Sequence, residues 1–263
     1  FNQMASALSD QISRLENLSR VQQRFVSDVS HELRTPLTTI RMAADLIYAA
    51  RNQFDPTISR SAELLVSQIK RFEHLLEDLL EVSRFDAEAA VLSIAPFDVA
   101  SLVRRSVEDL RIADETRAKL IQIVIPNDSV MIDGDARRVE RIIRNLLNNA
   151  IDHCEGKPIE IKLRENESAV SVGVRDYGIG IAEVNWNRVF DRFWRADPSR
   201  ARTRGGTGLG LSIALEDARL HNGELEAWGR PGRGAHFVMT LPRKTWESIE
   251  SRLIPLQPED YKA

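Results

Sequence analysis

Three groups of residues in this sequence have types and spacings that could do chemistry. The first surrounds His31, which has Glu32 beside it, Asp28 three residues before and Thr35 four residues after. Residues three and four apart are neighbours on a helix, so Asp28, His31 and Thr35 would share one patch. With Val26 and Val29 at heptad positions a and d, that patch falls at positions c and f and faces solvent. Pro36 removes the backbone bond to the Glu32 carbonyl and should bend the helix. An exposed imidazole at such a bend can attack through one ring nitrogen while the adjacent carboxylate takes the proton from the other. The alternative is an ordinary surface histidine beside a local kink.

The second group is Asn145, Asn149 and His153, spaced by four along one helical stripe. Mid-helix asparagine is unfavourable by propensity, whereas two amides one turn apart can ligate a hard cation through oxygen as it bridges phosphates. The alternative is that these two and Asn148 form a solvated polar face. The third group is glycine-rich. Asp176, Gly178 and Gly180 follow the apolar strand Ala169 to Val174. A carboxylate there could accept from an exocyclic amine, and the glycines would let backbone approach a ring; a plain turn is the competing reading. Further on, GGTGLGL (Gly205 to Leu211) leads straight into a helix, whose N-terminal N–H groups favour phosphate. Between these two glycine runs, residues 188–204 hold six arginines against two aspartates. That run is a solvated basic patch or, beside a nucleotide, a triphosphate clamp. No Lys-Ser/Thr follows the glycines, so this is not a Walker loop. No acidic residue ends a second strand at dinucleotide-fold spacing either.

These groups need elements to position them. All 13 glycines lie from Gly134 onward, and residues 1–88 contain proline only at Pro36 and Pro56. The early part therefore reads as helical and the later part as mixed. Apolar residues Phe1, Met4, Leu8, Ile12, Leu15 and Leu18 form a heptad-like series with a phase break near Ile12. Val26, Val29, Leu33, Leu37, Ile40, Ala44 and Ile47 form a second series. After a turn at Asn52 to Pro56, Ile58, Ala62, Leu65, Ile69, Phe72, Leu76 and Leu79 keep a strict heptad step. Two such helices make an antiparallel hairpin with more seam than one partner helix can cover. A dimeric four-helix bundle is the economical answer. From about Phe97 the pattern predicts helices at 99–117, 135–154 and 208–221. Strands are expected near 119–125, 130–133, 158–164, 168–175, 223–228 and 234–241. That arrangement is an α+β layer with helices on one face of a sheet. Phe190 and Phe193 are expected to pack in the core, Cys154 to be a small buried hydrophobe at a helix end, and residues 243–263 to form a loosely held tail.

Composition sets the outer limits. The chain has 263 residues and a formal net charge of −3, which argues against a whole-surface clamp on nucleic acid. Its 43% hydrophobic and 29% charged residues fit a globular protein. One cysteine excludes an intrachain disulfide and a cysteine metal cluster. The longest apolar stretches fall far short of the roughly 20 residues that span a bilayer. Because the chain opens on Phe1, we expect a piece of a longer protein, lying in or facing the cytoplasm.

The run SHELRTPLT, Ser30 to Thr38, resembles the phospho-acceptor box of the sensor histidine kinases of two-component systems. NLLNNA resembles that family's asparagine box, DYGIG its first glycine box, VFDRFWRADPSR its phenylalanine box and GGTGLGL its second glycine box, all in family order over roughly residues 1–244. VSDVSHELRTPLTTIRMAADLIY and RFWRADPSR are most similar to an actinobacterial subgroup. The resemblance implies an α + α/β fold: a helical hairpin forming a dimeric bundle, then an α/β sandwich of the Bergerat type that binds ATP. It implies residues 1–20 as the end of a membrane-proximal signalling helix, 21–88 as the hairpin, 89–96 as a linker, 97–244 as the ATP-binding domain and 245–263 as a tail. His31 would be phosphorylated, Glu32 would assist, and Thr35 would support removal of phosphate from the partner. Asn145 and Asn149 would hold Mg2+, and Asp176 would read the adenine amine. His153, Gly178, Gly180, Phe193 and Arg195 would line the nucleotide, as would Gly206, Thr207, Gly208, Leu209 and Gly210. The implied partners are a second copy of the chain and a response regulator's receiver domain, with no nucleic acid and with membrane reached only through regions before residue 1. One departure is Asp152, where the family often has a basic residue. Chaperone, mismatch-repair and topoisomerase ATPases use a similar nucleotide fold but lack a preceding histidine hairpin. A non-catalytic dimeric scaffold with degenerate boxes is the remaining alternative.

Overall fold

The computed structural model describes Val21, Asp28, Val29, Glu32, Leu33 and residues 35–86, 90–196, 207–249 and 251–261. The chain divides into two compact units, residues 1–91 and 92–263.

In the first unit, residues 35–49 form helix α1. A 3-10 turn over Arg51–Gln53 leads to α2, Pro56–Asp86. Pro56 suits the first helical position because its missing N–H would have no intrahelical partner there. The Asp55 carboxylate accepts from the N–H groups of Thr57 and Ile58 at 2.8 and 3.2 Å, closing the helix start. Leu37, Ala44 and Ile69 form a small buried cluster with Val66 and Leu76 against it, and Arg41 meets Glu73 at 3.1 Å. The heptad seam read from α2 separates into two rows. Ala62 and Ile69 are buried and Leu76 is half-buried, whereas Ile58, Leu65, Phe72 and Leu79 are 49, 42, 54 and 48% exposed.

The second unit is built on a five-stranded sheet of order β2-β4-β5-β7-β6, with β2 (Ile121–Val124), β4 (Ile159–Glu165), β5 (Ala169–Asp176), β6 (Glu224–Gly229) and β7 (Ala235–Pro242). Only β2 and β4 pair in parallel. Helices α3 (Val99–Ala113), α5 (Ala136–His153) and α6 (Gly210–Leu220) pack on one face through Val103, Ile143, Leu147 and Ala214 against Ile161, Val172, Val174 and Phe237. Strand alternation explains the choice of face, since Val170, Val172 and Val174 enter the core while Ser171, Gly173 and Arg175 point away.

Four local expectations change. The helix expected over 99–117 breaks at Asp114, whose backbone leaves helical geometry and whose carboxylate caps a short α4, Glu115–Ala118. The strand near 130–133 leaves the main sheet. As β3 (Met131–Gly134) it pairs with β1 (Ala95–Asp98), a strand the Pro96-containing sequence conceals. Phe190 packs edge-on to Phe237 at 6.3 Å, but Phe193 is exposed at a φ of 61°, so only one of the two rings enters the core. The tail is not loose, because Ile254 is buried and residues 251–261 lie on the outer face of the sheet.

Candidate functional site

Helix α5 is the backbone of the site. Its buried face carries Val139, Ile143, Leu146 and Ala150, which leaves Asn145, Asn149 and His153 half-buried on the adjoining stripe. Asp135 caps its start, accepting from Arg137 and Arg138 as well as from the distant Ser93 N–H at 3.1 Å. Burial alone would raise the Asp135 carboxyl, but these N–H groups and the Arg137 charge outweigh it and hold it below the usual range.

The two ends of the stripe meet the two glycine-rich segments. At the first, Asn145 donates its side-chain N–H to the Gly210 carbonyl at 2.8 Å. That bond commits the amide nitrogen and leaves the amide oxygen to face a hard cation, so the residue fits the metal-holding role. The start of α6 has no side-chain cap, so N–H groups of its first turn suit an anion. At the other end, the Ile179 N–H donates to the His153 carbonyl at 3.2 Å.

The glycines of DYGIG serve a purpose different from the one expected. A Cβ on Gly178 would lie 1.8 Å from the His153 carbonyl oxygen, and one on Gly180 would lie 1.8 Å from the Arg230 carbonyl oxygen. They admit neighbouring protein backbone, which seats the loop between α5 and the turn after β6. Asp176, at the end of β5, is buried and accepts from the Gly178 N–H at 2.9 Å. Burial pushes its pKa up to about 6, against the lowering effects of that N–H, Arg175 and Lys157.

The remaining residues fall into place unevenly. Phe193 donates its N–H to the Gly208 carbonyl at 2.9 Å, which ties the segment after β5 to the start of α6. Thr207 accepts the Leu209 N–H at 3.2 Å, and the Leu209 side chain is wholly buried. Leu209 thus anchors the helix start and offers a ligand neither its side chain nor its N–H. Arg195 is half-buried at the edge of the described segment. Gly206 and three of the six arginines, Arg200, Arg202 and Arg204, lie outside the described residues, as does His31. Glu32 and Thr35, which flank His31, are helical and exposed, and the Thr35 carbonyl accepts from the Thr39 hydroxyl. Asp152 lies 3.9 Å from the Arg117 guanidinium, so its charge is turned toward α4. The described residues contain no group of three or more His, Cys, Asp and Glu arranged to hold a metal.

Two supports were not read from the sequence. Asp217, fully buried on α6, takes bonds of 2.7 and 2.8 Å from Arg141 and Arg138 of α5 and locks the two helices. Its signal is an acid inside the apolar run of α6, with two arginines three apart on α5. Arg175 is the other, a buried cation near the end of a strand whose first six residues include no charge.

Residues 21–88 match the family model described as His Kinase A (phospho-acceptor) domain, and residues 134–245 match the histidine kinase-, DNA gyrase B- and HSP90-like ATPase. The chain is 53% identical to the sensor histidine kinase MtrB of Mycobacterium leprae over 98% of its own length and 46% of that protein. It is 36% identical to the signal transduction histidine-protein kinase AfsQ2 of Streptomyces coelicolor, over 92% of the chain and 46% of AfsQ2. It thus spans about half the length of these curated relatives. The crystal structure of full-length ShkA in complex with AMPPNP superposes with a TM-score of 0.68 at 26% identity, covering 83% of this chain and 45% of ShkA.

Proposed function

The chain belongs to the sensor histidine kinases, and on that premise we propose that it moves the γ-phosphoryl group of ATP to His31 and then to an aspartate of a response regulator's receiver domain. The observation that carries this reading is the convergence on α5: Asn145 at the start of α6, His153 at the Asp176–Gly180 loop, and Asn149 between them. Asp176 holds the adenine amine, and the first turn of α6 holds phosphate. Backbone N–H groups of Gly206, Thr207, Gly208 and Gly210 would face the phosphates there, and Arg195 would add charge from the phenylalanine box. Asn145 and Asn149 would hold magnesium, which when bound offsets the negative charge of the phosphate oxygens.

A His31 ring nitrogen attacks the γ-phosphorus as the bond to the ADP oxygen breaks, and Glu32 takes the proton from the other ring nitrogen. Thr35, one turn along the exposed face, orients water toward the receiver's aspartyl phosphate in the opposing phosphatase activity, which releases inorganic phosphate and the free aspartate carboxylate. The protein works as a homodimer, because the exposed row Ile58, Leu65, Phe72 and Leu79 has the spacing of a second seam. Residues 21–88 are the dimerisation and phosphotransfer hairpin, 89–96 a linker, 97–244 the ATP-binding domain and 245–263 the tail; residues 1–20, read from the sequence as the end of a signalling helix, lie outside the described residues. Among the described residues no helix is long and apolar enough to cross a membrane. We place this chain on the cytoplasmic side of a cell-membrane protein.

The test is incubation with γ-labelled ATP and magnesium. The wild type should acquire acid-labile label, and His31→Gln should bind ATP and acquire none. Thr35→Ala should keep autophosphorylation while slowing loss of label from the phosphorylated regulator by about tenfold, equal to about 1.4 kcal/mol of barrier. Label that persists in His31→Gln overturns the assignment.

A further inference from the structure

The outer face of the five-stranded sheet carries a row of paired residues: Glu160, Arg175, His236 and Trp228 stand opposite one another across β4, β5, β7 and β6. Residues 251–261 lie along this face at five fastenings. Ile254 is buried over Gly173, where a Cβ would sit 3.4 Å from two Ile254 carbons and 2.9 Å from His236 Nε2. The bare position in mid-strand is what admits the Ile254 side chain. His236 Nδ1–H donates to the Leu256 carbonyl at 2.9 Å. Arg252 pairs with Glu226. At the far end Tyr261 sets its ring edge-on to Trp228 at 4.9 Å, and Asp260 stands 3.8 Å from the Arg175 guanidinium.

Arg175 connects this segment to the nucleotide loop. Its guanidinium lies 4.6 Å from the Tyr177 ring centroid and 5.3 Å from that of Trp228. From there it donates to three carbonyls: Asp176 at 2.7 Å, Arg233 at 2.8 Å and Ala235 at 3.2 Å. The first belongs to the residue whose carboxylate reads the base. The other two belong to the turn on which the loop rests and to the first residue of β7 after it; the Gly232 N–H of that turn donates to the Ile179 carbonyl at 2.7 Å. The loop and its support are therefore fastened from behind by the Arg175 side chain; among the described residues the carboxylate paired with it is Asp260 of the C-terminal segment, which also accepts from the Tyr177 hydroxyl.

We propose that residues 251–261 are a strap that positions the Asp176–Gly180 loop through Arg175, so that seating of the strap sets the affinity for the nucleotide's base. The inference rests on the reading of Asp176 as the adenine-binding residue. Arg175 acts here as a positioning residue: it holds peptide groups, and the carboxylate it positions faces the opposite side of the strand. The strap lies away from α5 and the start of α6, so its release should leave phosphate binding and the chemical step in place.

Three variants of the full chain test this. Ile254→Asp removes the anchor, Asp260→Ala removes the carboxylate at Arg175, and Asp260→Glu restores a carboxylate there. Autophosphorylation gives KM and kcat, and equilibrium titration compares ADP with inorganic tripolyphosphate. Ile254→Asp should raise the KM for ATP about tenfold with kcat within about twofold, and weaken ADP but not tripolyphosphate, the pattern of lost ground-state binding. Asp260→Ala should act in the same direction by about threefold, since the pair is partly solvated, and Asp260→Glu should return to wild-type values. Asp260 is exposed, so its variant decides the matter even if Ile254→Asp does not fold. Unchanged KM in Asp260→Ala, or equal weakening of both ligands, overturns the strap. Asp176→Asn separates the two levels of argument. If it weakens ADP selectively while the strap variants do nothing, only the strap fails; if it has no selective effect, the adenine assignment fails with it.

Discussion

The hairpin and the sheet domain solve the burial problem differently. In residues 92–263 the apolar faces of three helices and five strands close on each other, with Phe237, Ile143, Leu146 and Met239 almost fully buried. In the hairpin, two helices can cover only one stripe of each other. Ala62 and Ile69 use that stripe, and the intervening heptad positions Ile58, Leu65, Phe72 and Leu79 remain exposed. A sheet carries its partners within one chain, whereas a two-helix hairpin with two seams leaves one of them to a second molecule. The difference places chemistry as well. On the reading proposed above, the nucleotide stripe of α5 is held by contacts internal to its own domain, while the hairpin that would carry the phosphoryl acceptor would depend on association.

Two substitutions three residues apart sharpen this contrast. Phe72→Glu places a charge on the exposed seam. It should leave the hairpin helical and convert a dimer into a monomer, read as a halved mass by sedimentation at micromolar protein. Ile69→Glu places the same charge in the buried cluster with Leu37 and Ala44 and should unfold the hairpin, read as lost helical signal. If Phe72→Glu remains dimeric, the exposed row is not the association surface.

Within the sheet domain the corresponding weak point is electrostatic. Asp217→Ala removes the carboxylate shared by Arg138 and Arg141, whose side chains are 13 and 21% exposed. Removing one partner of a buried pair strands charge in low dielectric, and a cost of about 3 kcal/mol is expected in urea unfolding. The hairpin should be indifferent to it. A loss below about 1 kcal/mol would mean that both guanidinium groups find water in place of Asp217.

Much of this architecture could be read from apolar periodicity. The α2 seam, the α5 stripe and the alternation of β5 all follow from spacing within one element. What escaped depends on residues far apart. Asp217 reads as a helix-surface acid until α5 is laid beside α6. The Gly178 position reads as space for a ligand until the His153 carbonyl is found there. The strap is invisible because Ile254 and Tyr261 have no period and meet Gly173 and Trp228 only across the folded sheet. Strand β1 was hidden by Pro96, which an edge position tolerates.

The smallest expected effect concerns pH and separates binding from folding in the sheet domain. Burial raises Asp176 to about 6, whereas its ordinary value, which it regains on unfolding, is 3.8. The native state therefore binds this proton more tightly than the unfolded state. Protonation of Asp176 favours the fold, and that contribution is lost as the pH rises through about 6. Adenine recognition has the opposite sign, because the amine donates more strongly to the carboxylate than to the acid. Between pH 7 and pH 5 the ionised fraction falls about tenfold, so ATP affinity should fall by about the same factor, or about 1.4 kcal/mol. His236, held down to about 4 by burial, titrates across an overlapping range with the reverse effect on stability. The comparison must therefore be with Asp176→Asn, which keeps His236. The wild type minus variant difference should show binding weakening and stability rising as the pH falls. Parallel movement of both quantities would mean that the carboxylate at the end of β5 senses the fold without touching the base.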